Sequence, residues 1–172
     1  YTDIQARIGY SHTAYPVLTT DLTLLVRAEA NAMLGKYAEA VQDLNTEVKA
    51  FSGGNLSVTL TGIQDFYRGI GYYTPTEPTP KKKFHTAFSI ESTTQEPILQ
   101  AILQLRRIMT VGEGWRLQDV KRYGIVMYRR TLNDSRKVIA VTDTMKEDDP
   151  RRAIQLPQDV ITAGLPANPR NK

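Results

Sequence analysis

The sequence contains no cysteine, only one tryptophan and only two histidines among its 172 residues. The lack of cysteine excludes a disulfide framework and a thiolate metal site. The two histidines, His12 and His85, have no partner at the spacing of metal ligands, so we expect neither a metal site nor a cofactor. Apolar runs are short as well, and none approaches the ~20 residues of a membrane-spanning helix.

The composition that remains is that of one globular domain. Hydrophobic residues make up 41% and charged residues 23% of the chain, which is close to the average for folded proteins and unlike a disordered tail. The formal net charge is +4, but the basic residues are spread along the chain, so nucleic acid is not an expected partner. The densest basic group, Lys81 to Lys83, lies in a proline-rich stretch and predicts a solvated loop.

The hydrophobic spacing predicts a mainly α fold that starts with a helical hairpin over residues 20–51. Thr20 or Asp21 can cap the first helix, and Gly35 ends it. The second helix is predicted from about Lys36 to Phe51. Because the break is short, we expect the two helices to pack antiparallel. Small side chains allow a close approach: Ala28, Ala30, Ala32, Ala38 and Ala40.

The middle of the chain predicts shorter elements. Leu56, Val58 and Leu60 alternate with polar residues, which is typical of a short strand. Residues 63–70 predict one or two helical turns. The stretch from Gly71 to Lys83 contains three prolines and predicts a long exposed loop.

A second helical pair is predicted over residues 94–124. Thr93 and Glu96 have the spacing of a capping box, and the helix that follows should turn Ile98, Leu99, Ile102, Leu105, Ile108 and Met109 inward. Another helix is predicted from Trp115 to about Tyr123. Residues 125–172 predict a β-hairpin, with strands at 125–132 and 138–141, followed by a coil-rich tail.

The first hairpin also carries the turn pattern of a tetratricopeptide unit. Leu34, Gly35 and Tyr37, followed by Ala40, match the positions at which glycine ends one helix and tyrosine packs in the turn. A generic helical hairpin is the alternative interpretation. One such unit cannot bury its hydrophobic face alone, so a tetratricopeptide unit would need further repeats or a substitute surface.

Acidic and basic residues alternate in the second helical pair, at Glu113, Arg116, Asp119 and Arg122. Their spacing of three predicts ion pairs along one helix face. A catalytic alternative would make Glu113 and Asp119 an acid–base pair, but alternating charges favour ionised, paired carboxylates over catalysis. Nucleotide-binding glycine loops and the nucleophile elbow of hydrolases are missing. In the tail, residues 147–152 lack the alternating ligands of a calcium loop and predict Asp–Arg pairing.

Three of these segments, in this order, resemble the SusD/RagB family of nutrient-binding proteins. The first is the run from Leu24 to Ala30 with Leu34 to Tyr37. The second is Glu113 to Arg116 with Asp119 to Gly124. The third combines Asp149-Pro150-Arg151, Leu156-Pro157-Gln158 and Asn168-Pro169. Together they span about residues 20–172, and the resemblance is to the C-terminal part of the family.

The resemblance implies a lipoprotein on the surface of the outer membrane in Bacteroidetes. Such a protein captures glycans or other nutrients and delivers them to a SusC-like TonB-dependent transporter without catalysing a reaction. Its lipid anchor would belong to an N-terminal region that precedes this chain. The helical repeats would form the scaffold, and loops would present the ligand site. A tetratricopeptide module that binds proteins and no sugar is the alternative function.

A sugar site needs exposed aromatic faces to stack on the ring, together with polar groups that fix the hydroxyls. Tyr72 and Tyr73, in the proline-rich loop, are the predicted ligand-binding residues. The alternative is that the two tyrosines only anchor their loop.

Overall fold

The computed structural model of the chain describes residues 19–170. In that range it is mainly helical with one small antiparallel sheet, which confirms the predicted mainly α class with a β-hairpin. The elements in chain order are α1 (Thr20–Met33), α2 (Tyr37–Phe51), α3 (Leu60–Gly69), α4 (Gln95–Met109), α5 (Arg116–Arg122), β1 (Met127–Leu132), β2 (Val138–Met145), a 3-10 turn (Pro150–Arg152) and α6 (Gln158–Thr162). None of the helices in this range is long and apolar enough to cross a membrane.

Helices α1 and α2 pack against each other across a three-residue break. The side chain of Thr19 caps α1 by accepting a hydrogen bond from the Leu22 amide at 3.1 Å, so the cap lies one residue before the predicted Thr20. Gly35 takes a φ of 74° in the break, a conformation that few residues other than glycine adopt. The predicted close approach is only partly correct, since Ala28, Ala32 and Ala40 are buried whereas Ala30 and Ala38 are exposed.

The strand predicted at residues 56–60 is wrong. The backbone of Val58 bonds to the side chain of Asn45 in α2, through its N–H at 2.8 Å and its carbonyl at 2.7 Å. These bonds satisfy the groups that would otherwise require a partner strand. Thr59 then caps α3 through the Gly62 amide at 3.0 Å, which makes the helix predicted for 63–70 three residues longer at its start.

The core lies between α1, α2, α3 and α4, with Tyr123 and Ile125 added behind α5. Ile98, Leu99 and Ile102 are fully buried, as predicted. Ile108 is 46% exposed instead of inward-facing, because helical geometry places it roughly a quarter of a turn away from the stripe of Ile98 and Ile102. Gly124 sits at a φ of 58°, where a Cβ would collide with the backbone of His85.

The C-terminal part confirms the predicted hairpin. Strands β1 and β2 pair antiparallel, and the side chain of Asn133 accepts a hydrogen bond from the Lys137 amide in the connecting turn. The predicted Asp–Arg pairing in the tail is present as an ion pair between Arg151 and Asp149 at 2.6 Å. Arg152 fastens the tail to the body through the carbonyl oxygens of Val120 at 2.7 Å and Ile125 at 2.6 Å.

The start of α4 is capped by Glu91, so the predicted capping box of Thr93 and Glu96 is wrong. The Glu91 carboxylate accepts hydrogen bonds from the backbone N–H of Thr93 at 2.5 Å, of Thr94 at 2.7 Å and of Gln95 at 3.1 Å. Hydrogen bonds, above all from Thr93, lower the pKa of Glu91 to about 2. A carboxylate in place of a threonine hydroxyl also suits the positive end of the helix dipole.

We expect Glu91→Gln to lower the free energy of unfolding at pH 7 by about 1 kcal/mol, the usual effect of losing a helix cap. Because the folded-state pKa lies below the ordinary value of 4.5, this contribution is present above pH 4.5 and disappears as the pH falls toward about 2. Urea unfolding followed by circular dichroism at pH 7 and pH 2.5 measures the difference between the two proteins. Glu113→Gln, on the exposed turn after α4, is the control, and an equal loss in both variants contradicts the cap.

Candidate functional site

A polar cavity of about 240 Å³ opens between α3, the start of α4 and the loop that contains Lys81. Hydrogen-bonding side chains provide most of its lining: Gln64, Arg68, Lys81, Thr93, Glu96 and Gln100. Several polar groups that converge on one concave surface are typical of a small-ligand site. This cavity is therefore the candidate site.

Tyr72 lies beside this cavity and is joined to its lining. The Tyr72 hydroxyl donates a hydrogen bond to Glu96 Oε1 at 2.7 Å, and Lys81 Nζ lies 4.5 Å from the centre of the ring. Burial, followed by the hydrogen bond and charge of Glu96, raises the pKa of Tyr72 to about 12. Since 40% of the residue is still exposed, Tyr72 presents aromatic surface next to polar groups.

The lining groups are held in position by bonds to the fold. Gln64 Nε2 donates to the Thr93 carbonyl and to Thr94 Oγ1, both at 3.1 Å. Lys81 Nζ donates to the Tyr67 carbonyl at 2.6 Å. Gln100 Nε2 lies 3.4 Å from the same Glu96 oxygen that accepts from Tyr72. Such anchoring reduces the entropy that is lost when a ligand binds.

Tyr73 points the other way and belongs to the core. It is 9% exposed, its ring centre lies 5.4 Å from that of Tyr128, and Lys82 Nζ lies 4.2 Å from the ring centre. A stacking residue needs an open ring face, and Tyr73 has none to offer. The structure therefore separates the two predicted ligand-binding residues, and only Tyr72 has the exposure that sugar stacking requires.

The most extensive electrostatic feature is a buried ion network. Arg106 in α4 donates to Glu29 Oε2 in α1 and to Asp119 Oδ1 in α5, both at 2.6 Å. The three side chains are 10%, 10% and 3% exposed. One guanidinium thus joins three helices inside the fold.

Two more donors complete the network at Glu29. The Tyr123 hydroxyl donates to Glu29 Oε1 at 2.7 Å, and Arg122 Nε donates to the same oxygen at 2.8 Å. Burial alone would raise the pKa of Glu29, but the hydrogen bonds from Tyr123, Arg106 and Arg122 outweigh it and hold the pKa below its ordinary value. Glu29 is therefore a carboxylate in the folded protein.

The predicted ladder of ion pairs along residues 113–122 is largely wrong. Arg116 and Asp119 do approach to 3.7 Å, but Asp119 and Arg122 make their closer pairs with other helices. Glu113 lies on the exposed turn before α5. Burial raises the pKa of Asp119 above its ordinary value, although the charges of Arg106 and Arg116 oppose the shift. Its carboxylate lies in the interior of the fold, where it accepts a hydrogen bond from Arg106.

Sequence reasoning missed Glu29 and Arg106, although a signal was present. Glu29 lies four residues after Leu25, and Arg106 lies four residues after Ile102, so both occupy the apolar stripes of their helices. A charged residue on an inward stripe is seldom buried unless it is paired. The two stripes together indicate a buried pair.

The histidines give no metal site in the described range. His85 Nδ1 lies 3.0 Å from the Gly124 carbonyl, and His12 lies outside the described residues. Between residues 19 and 170, no group of three or more histidine, aspartate and glutamate side chains is placed to hold a metal ion.

We expect Arg106→Met to lower the free energy of unfolding by about 3–5 kcal/mol, because it leaves two buried carboxylates without their shared cation. Arg107→Met is the matched control, since Arg107 lies next to it on the exposed side of α4. Its effect should be about 0.5 kcal/mol or less. Urea denaturation measures the loss in unfolding free energy for both variants. Methionine keeps an aliphatic side chain but removes the charge, so an equally small loss in the two variants would show that the Arg106 charge does not stabilise the fold.

The chain was compared with protein-family models, with curated proteins and with solved structures, and no match was found in any of the three.

Proposed function

We propose that this chain is the C-terminal part of a SusD/RagB-like nutrient-binding protein. In this proposal the protein captures a glycan on the outer-membrane surface and delivers it to a SusC-like TonB-dependent transporter. It is held at the membrane by a lipid anchor in a preceding region.

The observation that carries the proposal is that the first two resembling segments bond to each other in space, and that Arg152, which directly follows part of the third, bonds to the second. Glu29 comes from the first segment, and Asp119, Arg122 and Tyr123 come from the second. Arg152, next to Arg151 of the third, bonds to the carbonyl oxygen of Val120 inside the second segment and to that of Ile125 directly after it. Residues that share one buried polar network depend on each other for their hydrogen bonds, which supports reading the first two motifs as parts of one pattern.

The cavity beside Tyr72 supplies the two elements that sugar binding needs. Tyr72 offers a partly exposed aromatic surface, and Gln64, Glu96 and Gln100 offer amide and carboxylate groups within the adjacent cavity. Hydroxyl groups both donate and accept, so amide and carboxylate side chains together match a polyhydroxylated ligand. The cavity volume of about 240 Å³ suits a small unit, such as one sugar ring of a longer glycan.

We expect binding without catalysis. A carboxylate-dependent glycosidase needs two carboxyl groups in one cleft with different pKa values. Asp119 is bonded to Arg106 in the interior, and the cavity beside Tyr72 contains a single carboxylate, Glu96, among its lining residues. In this proposal the helices form the scaffold of the protein, and the loop that contains Tyr72 presents the ligand site.

Tyr72→Ala tests this site in the full-length protein. We expect roughly two- to tenfold weaker binding of the recognised glycan, as measured by isothermal titration calorimetry after a glycan-array screen, because one aromatic contact is lost. Tyr72→Phe keeps the ring but loses the hydrogen bond to Glu96, so its effect should be smaller.

Phe66→Ala provides the matched control, because Phe66 is 53% exposed and does not line the cavity. If Tyr72→Ala binds the glycan with unchanged affinity, the sugar site lies elsewhere in the protein. If the full-length protein binds no glycan on the array, the sugar-binding function itself is contradicted.

A second candidate function is protein binding through a groove between α1 and α5. The groove encloses about 850 Å³. Leu22, Val26, Met33 and Trp115 give it apolar surface, and the ion network of Glu29, Arg106 and Asp119 also contributes to its lining. Val26 is 57% exposed and Trp115 is 38% exposed. Apolar surface of this kind suits the face of an amphipathic helix, as in a tetratricopeptide-type interaction module.

The upstream part of the reading frame discriminates between the two functions. The nutrient-binding function predicts a signal peptide that ends at an acylatable cysteine. The interaction module predicts further units of about 34 residues with the same turn pattern and no such cysteine. Sequencing the gene upstream of Tyr1 gives the answer, and a start codon immediately before Tyr1 contradicts the nutrient-binding function.

A further inference from the structure

The proline-rich loop, residues 71–83, lies between the polar cavity and the hairpin β1–β2. Tyr72 in its first limb donates a hydrogen bond to Glu96 of α4, beside the cavity. The ring of Tyr73, the next residue, packs on Tyr128 of β1 with 5.4 Å between the ring centres. Two neighbouring residues of one loop therefore contact two different parts of the fold.

Arg130 of β1 fastens the tip of the loop to the hairpin. Its Nε donates to the Pro75 carbonyl at 2.7 Å, and its Nη2 donates to the Thr74 carbonyl. Both acceptors belong to the backbone, so the planar guanidinium fixes the path of the chain directly after the two tyrosines. Arg130 is not among the residues that line the cavity, and it can therefore affect the cavity only through the loop.

Gln100 of α4 fastens the returning limb of the loop from the other side. The Lys82 amide donates to Gln100 Oε1 at 3.0 Å, and Gln100 Nε2 donates to the Lys82 carbonyl. Gln100 is only 2% exposed and lies four residues after Glu96, so both side chains project from the same face of α4. The helix thus holds one limb through Glu96 and the other through Gln100.

Two hydrogen bonds join the two limbs of the loop. The Tyr73 amide donates to the Lys81 carbonyl, and Thr79 Oγ1 donates to the Gly71 carbonyl, both at 2.8 Å. The loop contains no helix or strand of its own, and a two-stranded hairpin alone is only marginally stable in water. Each of these two elements therefore depends on the other for its order.

We propose that Arg130 is a positioning residue of the sugar site at Tyr72, and that the loop couples this site to the hairpin. The inference rests on the proposed function for the identity of the ligand. A loop that the hairpin already holds in place loses less conformational entropy when the glycan binds beside Tyr72. Coupling of this kind is reciprocal, so a partner that orders the hairpin raises the affinity for the glycan, and the glycan in turn orders the hairpin.

Amide hydrogen exchange on the whole chain, followed by nuclear magnetic resonance, tests the coupling without a ligand. Arg130→Met removes the bonds between the hairpin and the tip of the loop. We expect at least about fivefold faster exchange of the Lys82 amide, which is bonded to Gln100 on the opposite side of the loop. Arg129→Met is the matched control, because Arg129 is the exposed neighbour in the same strand, and its effect should stay within about twofold.

The reverse experiment removes the bonds at α4 and measures the hairpin. In Gln100→Ala we expect at least about fivefold faster exchange of the hydrogen-bonded amides of β1 and β2, although none of them contacts Gln100. Gln104→Ala is the control, since Gln104 lies one turn further along α4 and lines a different cavity. Exchange in the hairpin should be unchanged in this variant.

Calorimetry on the full-length protein connects the coupling to glycan binding. We expect Arg130→Met to weaken binding of the recognised glycan by roughly two- to fivefold, because the loop that carries Tyr72 is no longer held in advance. If Arg130 acts through Tyr72, it has no further effect once that ring is removed. In the Tyr72→Ala background the Arg130→Met change should therefore alter the affinity by less than about twofold, an outcome that general destabilisation would not produce.

Three results separate the possible failures. If Arg130→Met and Gln100→Ala each change exchange only beside the substituted residue, the loop transmits nothing and the inference is overturned. If the glycan binds with the same affinity to Arg130→Met and Arg129→Met, Arg130 does not position the site, while the proposed function stands. A full-length protein that binds no glycan contradicts the proposed function, and the role of Arg130 in it, whatever the exchange measurements give.

Discussion

The rest of the structure depends on one guanidinium, that of Arg106, between the carboxylates of Glu29 and Asp119. Removing three charges from water costs several kcal/mol for each ion. The arrangement is tolerable only because Arg106 serves both acids and because Tyr123 and Arg122 supply further bonds to Glu29. Such a network adds little net stability compared with an apolar core, but it requires the helices to meet in one register.

That requirement connects parts of the chain that are distant in sequence. Glu29 lies 77 residues before Arg106 and 94 residues before Tyr123. Arg152 extends the same construction to the tail by bonding to the carbonyl oxygens of Val120 and Ile125. The hairpin β1–β2 begins shortly after Ile125, and Arg130 of β1 also bonds to the carbonyl oxygens of Thr74 and Pro75. Specific polar bonds thus orient helices that hydrophobic contacts alone would allow to slide.

Local patterns were enough to predict α1, α2 and the β-hairpin, because hydrophobic periodicity and turn residues act over a few positions. Predictions from local patterns were wrong where an unexpected side chain binds the backbone. Asn45 takes the hydrogen bonds of Val58, which leaves an alternating segment without a strand. Glu91 replaces Thr93 at the cap of α4. The inward positions of Glu29 and Arg106 indicated that these two pair, but not that Asp119 shares the same guanidinium, since spacing along one helix says nothing about a third helix far away.

The adjacent tyrosines show how far a site can be read from residue types. Tyr72 and Tyr73 are neighbours in one loop and are the same residue type, yet their surroundings differ. Tyr72 bonds to Glu96 beside an open polar cavity. Tyr73 packs on Tyr128, with cationic side chains near its ring. The difference arises because the loop folds back on itself and places Lys81 and Lys82 beside the tyrosines. The Tyr73 amide donates a hydrogen bond to the Lys81 carbonyl at 2.8 Å. Each lysine then lies over one tyrosine ring. A loop held by this bond gives its two aromatic residues different environments, and any ligand specificity in this part of the chain follows from that division.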